Sequence, residues 1–200
     1  MMHKMQCALL AVFGASLIST PSFGQVVKSH SSGFFVGLGI EGDGIVTNVS
    51  GGSTNESGGG AGVQLGYGFS PRWSLIGDVS SANINAEGGD TYLLTHVDLG
   101  ARVHFRTGPN IVVPFIQFGL SGRDEREDIG THTFSANGGG VFFGAGMNAH
   151  FNPAWAFSGS ANWVVGNFTN AQVDNQSVGS ESVGATSARV HLGIIWFPRA

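Results

Sequence analysis

The side chains with the most chemistry to offer are four histidines (His96, His104, His150, His191), two arginines (Arg102, Arg189) and two aspartates (Asp78, Asp98). Imidazoles and carboxylates ligate metals and carry protons, and guanidinium pairs with carboxylate. A metal or proton-transfer centre needs its groups to converge on one point. Here the histidines spread over three segments and different heights, each on the polar side of an alternating pattern. That arrangement reads as hydrogen bonding and ion pairing in a filled interior, with Asp98 or Asp78 neutralising Arg102 or Arg189. No catalytic residue, cofactor site or metal site is expected.

Two further motifs point to nothing sharper. Gly37-Leu38-Gly39-Ile40-Glu41-Gly42 matches the G-x-G-x-x-G dinucleotide pattern, but a Gly/Ser-rich stretch follows where a helix should receive the pyrophosphate. Among 33 glycines the match is chance. Arg123 to Asp128 is a mixed charge run that reads as a solvated, self-neutralising loop. Its acidic oxygens would otherwise suit the divalent cations that bridge lipopolysaccharide.

The elements that carry these residues alternate with period two. In Leu93 to Phe105, Val97, Leu99, Ala101, Val103 and Phe105 share one side; Leu94, His96, Asp98, Arg102 and His104 share the other. This is strand periodicity, and the run exceeds a typical globular strand. Similar segments centre on Leu38, Leu65, Val79, Phe118, Phe143, Phe157 and Leu192, making eight. The polar sides carry Gly, Ser, Asn, Gln, His and a few charges but no Lys, a poor solvent surface and a suitable filling for a narrow barrel. The apolar sides are then expected to meet lipid. Closure follows, because an unpaired backbone group in hydrocarbon costs several kcal/mol. The expected fold is all-β: an eight-stranded antiparallel up-and-down transmembrane β-barrel over residues 33–200.

Connections alternate between short and long. The turns after Phe69, Phe105 and Phe151 are tight, whereas 42–60, 83–91, 122–139 and 166–187 read as long surface loops able to meet a ligand. The pattern Phe-x-Pro-x-Trp occurs twice, at Phe69–Trp73 and Phe151–Trp155. With Phe105, Trp163 and Trp196, these aromatics are expected at the membrane–water interface.

The N-terminus accounts for itself. Lys4, an apolar stretch from Met5 to Ile18, and small Ser22 and Gly24 before Gln25 form a secretory signal peptide over 1–24, too short to span a bilayer. Residues 25–32 are a leader of the mature chain. Cleavage removes Cys7, the only cysteine, leaving no disulfide or thiolate site. It also removes Lys4, so a net charge of −4 becomes −5, which excludes a basic nucleic-acid surface. Charged residues make up 11% of the chain, well below the roughly 25% of an ordinary soluble domain.

The chain resembles the family of small outer-membrane β-barrel proteins, the group of the OmpA membrane domain, OmpX and Ail. The likeness covers 33–197. It rests on the signal peptide, the eight segments, the Phe-x-Pro-x-Trp turns, the Val113-Pro114-Phe115 to Gly122 strand and the last strand, Ser187 to Phe197. Family members end on an aromatic resembling the one read by the barrel-assembly machinery. Here Pro198-Arg199-Ala200 follows Phe197, and alternation turns Trp196 rather than Phe197 to lipid. The resemblance implies a Gram-negative outer-membrane protein, in contact with outer-membrane lipids and lipopolysaccharide, with a structural or surface-interaction role. A low-conductance, porin-like channel is the alternative. A lipid A-modifying enzyme ranks below both, because every barrel histidine is expected to point inward.

Overall fold

The structure, a computed structural model, describes residues 32–49, 52–86, 89–105, 110–129, 132–174, 176–179 and 182–198. The expected signal peptide and almost all of the leader lie outside the described residues. The strands are β1 (Gly33–Val49), β2 (Gly52–Gly68), β3 (Trp73–Asn85), β4 (Thr91–His104), β5 (Val112–Ile129), β6 (His132–Asn152), β7 (Trp155–Val173), β8 (Gln176–Gly179) and β9 (Val183–Trp196). Every pairing is antiparallel between neighbours, and β9 returns to pair with β1 from Val36↔Trp196 to Asn48↔Gly184. With β6–β7 and β7–β9 also paired, the ring closes. It has eight positions. The short β8 pairs with β7 at Ala171 to Val173, above the point where β9 leaves it at Phe168↔Val183, so it completes the same wall position as β9.

Exposure settles which face is which. Leu38, Ile40, Leu99 and Leu120 are 60–67% exposed, whereas Arg102 and Arg189 are each 1% exposed. The apolar rows face outward and the charges inward.

The two Phe-x-Pro-x-Trp turns share one device. Ser70 Oγ accepts from the Arg72 and Trp73 amides (3.3 and 3.0 Å), and Asn152 Oδ1 accepts from the Ala154 amide (2.8 Å). A short polar side chain captures the amide two residues on, while proline presets the turn. Phe69, Trp73, Phe105, Phe151, Trp155 and Trp196 ring this end, with Trp155 and Trp196 stacked at 6.0 Å. Trp163 lies eight residues up β7 and stacks on Phe143 at 5.7 Å. At about 3.3 Å per residue and a tilt of roughly 40°, Trp155 and Trp163 stand about 20 Å apart along the axis.

The expectation of four long loops is corrected. Most of 42–60, 122–139 and 166–187 is strand, and 83–91 is shortened by β3 and β4. Between Val49 and Gly52, and between Ile129 and His132, only two residues intervene. These stretches carry few exposed apolar residues (Val46 and Phe134 are exceptions) because above Trp163 the pattern inverts. On β3 the outward row runs Trp73, Leu75, Gly77, Val79 and then Ser81, Asn83, Asn85, while the inward row ends in Ala82 and Ile84. The ladder continues, but its outer face now meets water.

Candidate functional site

Among the described residues, functional groups gather in the bore, which is organised in levels. Nearest the aromatic turns, Arg102 on β4 donates to Gln117 Oε1 (2.9 Å from Nε, 2.6 Å from Nη2) and to Gln64 Oε1 (3.0 Å). Its guanidinium lies 3.9 Å from the Phe115 ring centroid and 5.9 Å from that of Phe35, within cation–π range. Gln117 in turn donates to Asn162 Oδ1 at 2.6 Å. The expected pairing of Arg102 with Asp98 or Asp78 is therefore not the one formed. Asp98 and Arg102 share β4 four residues apart, about 13 Å along an extended strand. A side chain cannot close that gap, so Arg102 meets amides and rings at its own height. Comparing Arg102→Met, Gln117→Met and the double variant by urea unfolding should give a coupling of about 1.5–3 kcal/mol. The same cycle with Asp98 should give a coupling near zero; a larger one would restore the carboxylate pairing.

His104 and His150 sit at this level. His104 Nε2 is 3.2 Å from Ser74 Oγ, and His150 packs on Phe197 with centroids 5.2 Å apart. The serine–histidine contact is sealed: Ser74 is fully buried, His104 nearly so, and His104 Nδ1 has no hydrogen-bond partner to orient it.

One level up lies the charged centre. Arg189, reaching across from β9, pairs with Asp98 Oδ2, donates to Ser80 Oγ at 3.1 Å and lies 3.9 Å from Asp78 Oδ1. Two adjacent inward positions of β1 meet histidines from different strands: Glu41 lies 3.3 Å from His191 and Asp43 lies 3.1 Å from His96. Room for His191 comes from Gly39 and Gly193, which face each other across the β1–β9 seam; a Cβ on either would occupy the space of its ring. A void of about 10 Å³ among Glu41, Asp78, Asp98 and His191 has space for roughly one water. Among the described residues no three His, Cys, Asp or Glu side chains converge on a metal position.

The top level carries an apolar cluster beside two inward carboxylates, Glu56 opposite Ile45 and Glu125 opposite Leu94. Ile45, Ala82, Ile84, Tyr92, Leu94, Phe168 and Ala185 form one buried cluster, with Ala86 and Ala136 packed against it. Arg123 lies beneath Phe168, 5.3 Å from its centroid, and donates to the Ala185 carbonyl at 3.0 Å. Above, the Tyr92 hydroxyl donates to Glu56 at 2.7 Å. At the tips, Asp174 accepts from the Thr133 amide at 3.0 Å and contacts His132 at 2.6 Å, joining the β5–β6 and β7–β8 hairpins. These bonds hold the exposed Asp174 carboxyl below the ordinary aspartate range.

All eight polar residues singled out in the sequence thus line the bore, but in two groups: Arg102, His104 and His150 below, Asp78, His96, Asp98, Arg189 and His191 above. Sequence reasoning missed Glu41, Asp43, Gln64, Gln117 and Arg123 as participants, although each lies on an inward row. It also missed the apolar cluster, whose trace is two adjacent apolar pairs, Ile45-Val46 and Leu93-Leu94.

A closed antiparallel ring with an apolar outer band, aromatics at its rims and a charged, filled interior is a transmembrane β-barrel. More narrowly, this chain belongs to the outer membrane protein beta-barrel domain family, whose sequence profile matches residues 7–194. The family places it in the bacterial outer membrane. Among solved structures it is similar to the Neisserial surface protein A, with a TM-score of 0.63 at 17% identity, covering 82% of this chain and 97% of that one. OprG from Pseudomonas aeruginosa gives 0.61 at 11% identity (87% and 100% covered), and Ail of Yersinia pestis gives 0.51 at 14% (82% and 99%). At these identities the likeness is one of fold. No curated protein sequence matches the chain.

Proposed function

We propose that the protein is a structural and surface-interaction barrel, exported by residues 1–24, whose work is done by four hairpins held above the outer leaflet. The observation that carries this reading is the continuation of the wall past the membrane band. The hairpin strands ending at Val49 and Gly52, Asn85 and Thr91, Ile129 and His132, and Val173 and Gln176 form a mostly polar-faced extension over a buried, largely apolar floor. A rigid scaffold carrying exposed tips is the usual arrangement for recognition. Outer-membrane lipids and lipopolysaccharide contact the band and the base of the extension, and the barrel-assembly machinery inserts the chain. The filled bore favours this role over the low-conductance channel, which rests on the charged centre alone. A lipid A-modifying enzyme has no support from the bore, where Ser74 and His104 are sealed from lipid.

Purified full-length protein in planar bilayers is expected to be electrically silent; large stable currents would reverse the ranking. Folding is checked separately. Unheated and boiled samples should migrate differently on a detergent gel, and identical mobility would argue against a detergent-resistant barrel.

A further inference from the structure

The strands that close the ring do not all continue equally far above the membrane band. β2 pairs with β1 without interruption from Gly33↔Gly68 to Val49↔Gly52, whereas its pairing with β3 ends at Ser57↔Asn85. Beyond Asn85 the chain turns: the Ala86 amide donates to the Asp90 carbonyl at 2.9 Å, and β4 begins at Thr91. Residues 52–55 therefore keep β1 on one side and, among the described residues, have no strand on the other. At about 3.4 Å per residue this edge runs roughly 14 Å. Alternate residues aim their N–H and C=O to the same side, so the edge offers roughly two donors and two acceptors.

A free edge is a template for pairing with another chain, and proteins commonly blunt it with lysine, proline or a bulge. This edge has none of the three. Its residues are Gly52, Ser53, Thr54 and Asn55, and its register with β1 is unbroken. The other overhanging strand, β8, is blunted by the register shift at Ala171/Gln172. The inner side of the β2 edge is acidic. Glu56 follows it on the inward row of β2, and Glu125 and Glu127 take successive inward positions of β5. Burial, with Glu56, Glu127 and Asp124 nearby, pushes the Glu125 carboxyl up to about 7. Arg123, the inward position below Glu125, is turned to the Ala185 carbonyl and the Phe168 ring. The Tyr92 hydroxyl gives Glu56 a hydrogen bond but no charge.

We propose that residues 52–55 are a docking edge for an extended, lysine- or arginine-bearing segment of another protein, which adds a strand to β2 and sets its basic side chains toward Glu56, Glu125 and Glu127. The inference rests on the surface-interaction reading and names the class of partner. In strand addition the backbone bonds along the edge supply affinity, and the alternate side chains supply selection. Here selection is by charge: opposite charges on neighbouring strands attract, and an acidic segment is repelled.

The test is fluorescence anisotropy of labelled peptides titrated with the full-length protein in zwitterionic micelles. The probe is a short peptide alternating lysine with threonine. Two controls go with it: the same peptide with every backbone amide N-methylated, and a peptide alternating glutamate with threonine. The lysine peptide should bind. Its methylated form, which keeps the charge and loses the backbone donors, should bind about ten-fold more weakly, and the glutamate peptide should not bind. Glu125→Gln with Glu127→Gln should weaken the lysine peptide about ten-fold, with folding read from the gel shift on boiling. Should that variant fail to fold, added potassium chloride replaces it and should weaken wild-type binding in the same way. Equal binding of the methylated peptide would overturn the edge, leaving charge attraction alone. Equal binding of the glutamate peptide would overturn the partner class. Binding of neither peptide would overturn the docking edge while sparing the surface-interaction reading, which the planar-bilayer recording decides separately. A wild type that is dimeric in micelles and monomeric as Asn55→Pro would assign the edge to a second copy instead.

Discussion

Arg189→Ala is expected to cost about 3–5 kcal/mol of unfolding free energy, the range for removing one partner of a buried ion pair. The reason is the company Arg189 keeps. It is the cation that meets Asp98 and Asp78 together, and it bonds Ser80 as well. Truncation leaves two facing inward carboxylates without a cation at their own height, since Arg102, four residues from Asp98 on β4, is held by Gln64 and Gln117, in a centre with room for about one water. The cost is mostly that of stranding those charges rather than the intrinsic worth of the pair. Pairing Arg189→Met with Asp98→Leu should therefore recover a good part of the loss. Urea unfolding in lipid vesicles, followed by tryptophan fluorescence, measures both. A loss under 1 kcal/mol for Arg189→Ala would mean that the centre is wetter and less coupled than its burial indicates.

Leu99→Arg is the second large effect, and it separates this fold from a soluble barrel. Leu99 is 60% exposed and lies within the outward apolar row of β4, between Phe105 at the turn end and Leu93 near the strand's other end. On a water-facing surface such a change stays within about 0.5 kcal/mol. At the bilayer midplane an outward arginine costs about 2–4 kcal/mol. Asn83→Arg supplies the control. Asn83 is also exposed and outward, but on the extension, and its substitution should cost less than about 0.5 kcal/mol. Equal effects at the two positions would contradict the placement of the membrane boundary between them.

The two substitutions differ because the outer face changes solvent partway up each strand, which also explains what could be read without coordinates. Period-two alternation in Leu93 to Phe105, and the proline turns held by Ser70 and Asn152, are written in neighbouring residues, so strand identity, ring closure and the aromatic rim were legible in the sequence. Outward exposure of Leu38 and Leu120 followed once no water-compatible face could be assembled from the opposite rows. The extension was not legible. Its strands keep the ladder while Ile45, Ile84, Leu94 and Phe168 turn inward, and a search for a single apolar phase reads that inversion as loop.

The partners inside the bore were equally out of reach. Alternation says that Arg102, Arg189, Asp78 and Asp98 point inward; it does not say at what height each arrives. Height is set by the register of eight antiparallel pairings, including the β1–β9 closure between residues about 150 positions apart. Which way each side chain points was thus determined by its neighbours along the chain. Whether Arg102 meets Gln117 and Arg189 meets Asp98 was decided only when the ring closed, because a contact across a lumen depends on the summed stagger of every strand between.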